Sequence, residues 1–326
     1  MKIKLIFCER RVLELIITVT LNPALDKTIN TNKFIFGQVN KVEKSIQDPG
    51  GKGINVSKVL KNIDNINLAI GFIGGNNGEI IVQSLKQMGI EEKFTSIKAN
   101  TRMNIKIIDG ATGETTDLNE RGEYIQKNEL EEFLSQYKEI VRKGDFVVIA
   151  GSVPRGIPDS IYYILSKYAE TVGAKVFLDT SGNYLKEALE SKVFLIKPNI
   201  DELEEVVGKK IHSQDEILDE CRKLLDSKDI SNICLSMGSR GAMLITKDYV
   251  LKAKVPIVAV KSTVGAGDSL LGGIVSYLDK GCSIEEAFKC GVAASVVAVT
   301  KEGTKAPNLS EIIKMMNEIQ VVKEVL

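Results

Sequence analysis

Ser262-Thr-Val-Gly265-Ala266-Gly267-Asp268 sets a carboxylate behind three small residues. Apolar residues at 270, 271, 274, 275 and 278 follow with helical spacing, which puts Asp268 in the first turn of a helix. Free backbone N–H groups and the positive end of the helix dipole then converge on residues 265–267, an anion site. An anion site beside a carboxylate suits phosphoryl transfer, with donors for the migrating group and a base for the attacking hydroxyl. The dipole is expected to lower the Asp268 pKa and keep it ionised. Taken alone, the motif is equally a helix-start carboxylate after a glycine turn.

Three further clusters carry donors or carboxylates. Pro49-Gly-Gly51-Lys52-Gly53-Ile-Asn55 leads into a helix and allows close backbone approach, with Lys52 and Asn55 as donors. It is not a Walker A loop, because glycine follows the lysine where Ser or Thr is required. Lys197-Pro-Asn199-Ile-Asp201-Glu202 leaves an apolar strand and is placed for nucleotide phosphates and the waters of Mg²⁺. The same residues also spell a capping box, Asn199 as cap and Glu202 as its partner. Ser236-Met-Gly238-Ser-Arg-Gly241 follows another strand, as a nucleotide-binding turn or a hairpin connection. Gly71-Phe-Ile-Gly74-Gly75-Asn-Asn-Gly78 lacks the spacing of a dinucleotide fingerprint and is set aside.

These clusters need a scaffold that brings strand ends and helix starts together. Ile16–Leu21 is a β-branched strand stopped by Asn22-Pro23, and 54–63 carries an apolar helical face. Residues 68–73 form an apolar run, and 79–88 are helix-like. Met103–Ile108 and Glu114–Glu120 pair as a hairpin through Asp109-Gly110 and Gly113. From 128 onward, helices 128–142, 158–171, 183–190 and 214–226 alternate with short apolar strands at 146–150, 175–178, 193–196 and 233–236. Helices near 268–279, 284–300 and 309–318 close the chain. Continuous apolar strands between amphipathic helices describe a mostly parallel sheet covered on both faces. The expected fold class is therefore α/β, a Rossmann-like three-layer α/β/α domain over 15–326. A small inserted β-sheet comes from about 27–49 and 101–121.

Composition narrows the chemistry. The 326 residues carry 43 Lys plus Arg against 43 Asp plus Glu, a balance that argues against a nucleic-acid binder. Five scattered cysteines form no CxxC pair, which fits a reducing, cytoplasmic setting rather than a disulfide or zinc framework. The single histidine, His212, sits in a polar stretch and leaves Ser-His or Cys-His catalysis without support. No apolar run is long enough to span a membrane. Residues 1–14 are expected to be a poorly ordered or strand-extending N-terminal extension.

Together and in this order, Gly50-Gly-Lys-Gly-Ile-Asn55 and Ser262-Thr-Val-Gly-Ala-Gly-Asp268 resemble the ribokinase-like (PfkB) carbohydrate kinase family, over Ile16 to about Asn308. Thr20-Leu-Asn-Pro-Ala-Leu-Asp26, Thr101-Arg-Met-Asn104-Ile-Lys, Gly151-Ser152-Val-Pro154 and Lys197-Pro-Asn199 resemble its phosphosugar branch. Thr115-Thr-Asp-Leu-Asn119 leans toward members acting on fructose 1-phosphate, with tagatose 6-phosphate next. The resemblance implies ATP-dependent phosphorylation at the 6-hydroxyl, with Mg²⁺ and in some relatives a monovalent cation. It implies Asp268 as catalytic base and the backbone of Gly265, Ala266 and Gly267 as the phosphoryl cradle. Asp26, Gly51 and Asn55 would grip sugar hydroxyls, with Asn104 beside them. Lys52 and Arg102 would bind the sugar's own phosphate, and Ser152 would line that pocket. Lys197, Asn199 and Glu202 would serve ATP and, through water, the metal, with Asp179 near it. Ser236, Gly238, Gly241 and Thr263 would border the nucleotide. The resemblance also implies that the small sheet at about 27–49 and 101–121 is a lid closing over the sugar and that such lids pair two chains into a homodimer. A kinase for an unphosphorylated sugar or nucleoside is disfavoured by Lys52 and Arg102. A non-catalytic sugar-phosphate sensor would have no need of Asp268.

Overall fold

The computed structural model describes residues 14–325, so the expected extension lies, Glu14 apart, outside the described residues. The chain begins with β1 (Ile16–Thr20), β2 (Ala24–Thr31), β3 (Lys44–Gly50), α1 (Lys52–Asn62), β4 (Asn67–Ile73) and α2 (Gly75–Gln87). Two short strands, β5 (Glu91–Glu92) and β6 (Thr95–Ser96), precede the hairpin of β7 (Arg102–Asp109) and β8 (Thr115–Asn119). Alternation then brings α3 (Lys127–Ile140), β9 (Phe146–Ala150), α4 (Ile161–Val172), β10 (Lys175–Asp179), α5 (Gly182–Ala188) and β11 (Val193–Ile196). After them come α6 (Ile200–Val207), α7 (Gln214–Ser227), β12 (Ile230–Ser236), β13 (Ala242–Ile245) and β14 (Tyr249–Lys254). The last elements are α8 (Ala266–Asp279), α9 (Ile284–Val299), α10 (Leu309–Glu318) and β15 (Gln320–Val325).

The main sheet runs β15-β14-β13-β12-β11-β10-β9-β1-β4-β5, with β6 also on β4. From β12 to β5 the pairings are parallel, while β13, β14 and β15 add an antiparallel edge. Alternate side chains of the parallel strands feed two cores, which is why these strands are apolar throughout. Ile17, Val19, Val147, Ile149 and Leu178 meet Phe133, Tyr137, Ile161 and Leu165 on one face. Ile16, Val148, Phe177 and Leu195 meet Val59, Leu271, Ile274 and Phe288 on the other. Each such fully buried side chain contributes about 1.5–3 kcal/mol. These two layers therefore supply the stability that lets the site hold buried charges.

β1 has β4 on one side and β9 on the other, so the strand order reverses there. The loops after β1, β9, β10 and β11 open at the same sheet end, where α/β folds bind ligands. A second, four-stranded sheet, β3-β2-β7-β8, stands beside that opening. It is built from the two expected segments, except that β2 starts at Ala24, and β2 and β7 run parallel. Leu25 and Met103 anchor its root on Ile81 and Leu85 of α2. Helix α8 is fixed by very close packing. A Cβ on Gly272 would fall 2.8 Å from Val59 of α1, and one on Gly273 would fall 2.7 Å from Gly291 Cα of α9.

Candidate active site

Gly265 caps α8 with φ 79°, a left-handed conformation natural to glycine, and turns the chain so that Ala266 and Gly267 open the helix. Asp268 follows in the first turn and is only 7 % exposed. Its Oδ2 accepts a hydrogen bond from Asn55 Nδ2 at 2.8 Å. Asn55 reaches it because α1 lies hard against β1: a Cβ on Gly53 would fall 2.3 Å from Thr20 Oγ1. The small residue at 53 therefore sets the distance between helix and strand.

Two lysines and a second buried carboxylate stand beside this pair. Lys52 Nζ lies 2.9 Å from Asp179 Oδ1 and 3.8 Å from Glu202 Oε1. Lys197 Nζ lies 3.1 Å from Asp179 Oδ2. It also sits 3.0 Å from where a Cβ on Gly267 would be, so its ammonium faces the backbone turn that opens α8. Burial pushes the Asp179 carboxyl up, but Lys197 and Lys52 outweigh it and hold it below the usual range. Burial likewise pulls Lys52 down, and Asp179 and Glu202 more than restore it. Asp268 has the opposite balance. Burial first, then the negative charge of Asp179, push its pKa up to about 6, against the pull of Asn55, Lys197 and Lys52. The lowered pKa expected from the helix dipole is thus not what the site produces.

The small sheet brings the other expected residues to the opening. Asp26 on β2 accepts from Asn104 Nδ2 on β7 at 2.8 Å, and its other oxygen lies against Gly50. Burial raises the Asp26 pKa, partly offset by Asn104, Lys58 and Arg102. Arg102 donates from Nε and Nη2 to Asn22 O and from Nη1 to Glu120 O. Of its five N–H groups, one on each Nη is left over. Asn22 Nδ2 donates to Ser152 Oγ at 3.1 Å, joining Arg102 and Ser152 around one residue. Gly151 packs 3.7 Å from Lys52 Cβ by the same measure, so α1 starts beside this group. Asn22, which the sequence marks only as the end of a strand, is the hub that was missed.

On the far side of α8 lies a cavity of about 430 Å³. Ser236, Gly238, Gly241 and Thr263, the residues expected beside a nucleotide, line it, and Ala266 and Gly267 connect it to the turn before Asp268. Its apolar wall comes from the irregular segment 255–260 and from Val292, Val296 and Val299 of α9. Nothing in the motifs points to that wall. Asn199 and Glu202 do form the capping box of α6: Glu202 N donates to Asn199 Oδ1 at 2.8 Å and Asn199 N to Glu202 Oε2 at 2.9 Å. Glu202 Oε1 stays turned toward Lys52.

Among the described residues no cluster of three metal-ligating side chains exists. Asp179, expected near a metal, has a lysine on each oxygen. A metal that keeps its waters and arrives with phosphates fits this donor set, whereas a fully protein-held ion does not. His212 is exposed, and no helix among the described residues is long and apolar enough to cross a membrane.

The family description "pfkB family carbohydrate kinase" matches residues 19–311. A 1-phosphofructokinase of Bacillus subtilis is 37% identical over 289 residues, 88% of this chain and 94% of its own. A tagatose-6-phosphate kinase of Staphylococcus epidermidis is 32% identical over 311 residues, 95% of this chain and 100% of its own. The crystal structure of phosphofructokinase-2 from Escherichia coli in complex with potassium superposes with a TM-score of 0.90 at 28% identity, covering 94% and 99% of the two chains. With a family match over nearly its whole length, and with Asp268 buried in the first turn of α8 behind the glycine turn, this chain belongs to the pfkB family of carbohydrate kinases.

Proposed function

We propose that the chain phosphorylates fructose 1-phosphate at its 6-hydroxyl with ATP, giving fructose 1,6-bisphosphate and ADP. The observation that carries this is the Asn55–Asp268 pair at 2.8 Å on the turn of residues 265–267. The sugar oxygen bonds to the γ-phosphorus, the bond from that phosphorus to the β-phosphate bridging oxygen breaks, and Asp268 accepts the hydroxyl proton. The backbone N–H groups of 265–267 and Lys197 stabilise the migrating charge. A dry site strengthens these interactions, and the small sheet acts as the lid that excludes water.

Asp26, Gly51, Asn55 and Asn104 hold the sugar hydroxyls. Arg102 offers its two remaining N–H groups to the phosphate already on the sugar, and Ser152 lines the same pocket. Lys52 was expected to share that phosphate. Its ammonium gives one of its three N–H groups to Asp179 and stays partly exposed, so it reaches both that phosphate and the transfer side where Lys197 stands. The nucleotide base occupies the 430 Å³ cavity, with Ser236, Gly238, Gly241 and Thr263 at its border. Glu202, through water, and the nucleotide phosphates would hold Mg²⁺, which when bound offsets phosphate charge. Asp179 serves by fixing the two lysines, and Asn199 by capping the helix that carries Glu202.

Exposed Phe36 and Val39 on the lid loop, with Leu118 on the lid sheet, favour pairing with a second copy. A molar mass of two chains by light scattering checks this. A rise in kcat with K⁺ over Na⁺ checks for a monovalent cation.

The test is a coupled assay of ATP consumption with fructose 1-phosphate, tagatose 6-phosphate, fructose 6-phosphate and fructose at matched concentrations. The highest kcat/KM is expected for fructose 1-phosphate, with at least a thousandfold lower kcat in Asp268→Asn. Highest kcat/KM for tagatose 6-phosphate would keep the mechanism and turn the substrate end for end, the second reading that the S. epidermidis relative supports. Binding of the sugar phosphate without turnover would leave a sensor.

A further inference from the structure

Lys58 takes no part in the chemistry proposed above, yet it is only 7 % exposed. It lies one helical turn beyond Asn55 on α1. Its Nζ donates to Pro49 O at 2.9 Å and to Thr304 Oγ1 at 3.1 Å, both neutral oxygens. A buried ammonium costs several kcal/mol unless other groups compensate it. The compensating charges here stand farther off: Asp48 on β3, Asp26 on β2 and Asp268 on α8. Burial pulls the Lys58 pKa below the usual lysine range, and these three carboxylates offset only part of that pull.

The two oxygens belong to parts of the site that must act together. Pro49 sits at the root of the small sheet, opposite Leu25, next to the Gly50 that touches Asp26. Thr304 belongs to the loop between α9 and α10, and it lies 3.9 Å from where a Cβ on Gly265 would be, directly behind the anion hole. Lys58 shares its helix with Asn55, which holds Asp268. One cation therefore touches the lid root and the backing of the anion hole, and it faces both carboxylates assigned to the sugar.

We propose that Lys58 is a positioning residue, tying the lid root to the anion hole and serving as the common counter-charge of Asp26 and Asp268. The proposal rests on the reading of Asp268 as the base. Asp268 is also faced by Asp179 from the end of β10, Lys197 after β11, and Lys52 and Asn55 from α1. Loss of Lys58 leaves the remaining lysines divided between Asp268 and Asp179.

Lys58→Met, Lys58→Arg and Thr304→Val are compared with the parent and with Asp268→Asn, in kcat, both KM values, and kcat/KM against pH. For Lys58→Met, kcat falls roughly tenfold or more and the sugar-phosphate KM rises while the ATP KM holds. Its acidic limb moves up by about 1 pH unit, because losing a nearby positive charge raises a carboxylate pKa by roughly that order. Lys58→Arg keeps the charge and the parent limb. Thr304→Val cuts only the tie, lowering kcat with the limb in place.

A Lys58→Met enzyme with the parent limb and kcat overturns the proposal, as does an equal limb shift in Lys58→Arg. Should Lys58→Met not fold, unchanged kcat in Thr304→Val overturns the tie. Near-normal turnover in Asp268→Asn would instead sink the base assignment, whatever the Lys58 variants do.

Discussion

Replacing Asn55 by alanine isolates the contact that sets the ionisation of Asp268. The Asn55 amide gives that carboxylate, itself only 7 % exposed, a hydrogen bond of 2.8 Å. Hydrogen bonds to charged groups contribute about 1.5–3 kcal/mol. At about 1.36 kcal/mol per pKa unit, their loss raises the pKa by roughly 1–2 units. Asp268 starts at about 6, so the variant titrates near 7–8, at roughly 1–2 units above its parent. At pH 7 the ionised fraction then drops from about nine-tenths to about a quarter, and alkaline solution restores it.

The assay is kcat/KM for the sugar phosphate from about pH 5 to about pH 9, a quantity that reports the free enzyme. The substrate's own phosphate titrates near pH 6, but identically for both enzymes, so the displacement between the two curves is the readout. Asn55 is also assigned to the sugar hydroxyls. Its loss there scales the whole curve down without moving the limb. Coincident limbs would refute the reasoning and take Asp268 away from the ionisation that governs the reaction.

Asp268→Asn should raise stability at neutral pH while removing turnover. A carboxyl whose pKa is raised on folding stabilises the fold below its unfolded value near 3.8, and that stability is lost as pH rises through about 6. Urea melts at pH 8 should favour the variant by about 1–3 kcal/mol, and melts near pH 3 should coincide. Arg102→Ala should raise the sugar-phosphate KM at least tenfold with the ATP KM unchanged; equal changes would deny Arg102 the phosphate. Gly273→Ala should destabilise by about 1–3 kcal/mol in urea, because backbone of α9 rather than a yielding side chain lies 2.7 Å from the new methyl. This exceeds the gain of up to about 1 kcal/mol in helix propensity, so unchanged stability would mean that the α8–α9 packing is loose. GTP should replace ATP with less than a roughly tenfold loss in kcat/KM. The hydroxyls of Ser236, Ser239, Thr263 and Ser295 line the base cavity and can donate or accept alike.

The layered fold was legible because each central strand is a short apolar run between amphipathic helices, a pattern only a doubly covered sheet satisfies. The antiparallel edge was not. β13 and β14 are short, and β15, with Lys323 and Glu324, is mostly exposed, so neither period nor burial sets it apart from a loop. Motif residues at helix starts and strand ends were legible as turns and caps, where glycine, asparagine and aspartate are favoured, but the motifs alone did not separate capping from binding. Asn22 and Lys58 escaped because their roles lie in contacts with Arg121 and Ser152, or with Pro49 and Thr304, distant in the chain. Lys52 was seen, but its partner was not. Only the fold places Asp179 within reach and pairs this partly exposed lysine with a buried carboxylate.

The ionisation of Asp268 shows why position on a helix could not decide its chemistry. A helix N-terminus stabilises a carboxylate by about 0.3–1 kcal/mol, and by about 2 at most when partly buried. Taking that carboxylate out of water costs several kcal/mol, so burial wins and the pKa goes up. Asp179 is buried as deeply, yet it is ionised, because Lys52 and Lys197 take one oxygen each. Its fixed negative charge then lifts Asp268 further. The two carboxylates are thereby driven apart in pKa, one held as permanent charge and one left near 6. A base works best with a pKa close to the working pH, so the lifted partner is the one suited to take the proton. Lysines that do not touch Asp268 thus set, through Asp179, which carboxylate keeps its charge and which titrates near neutrality.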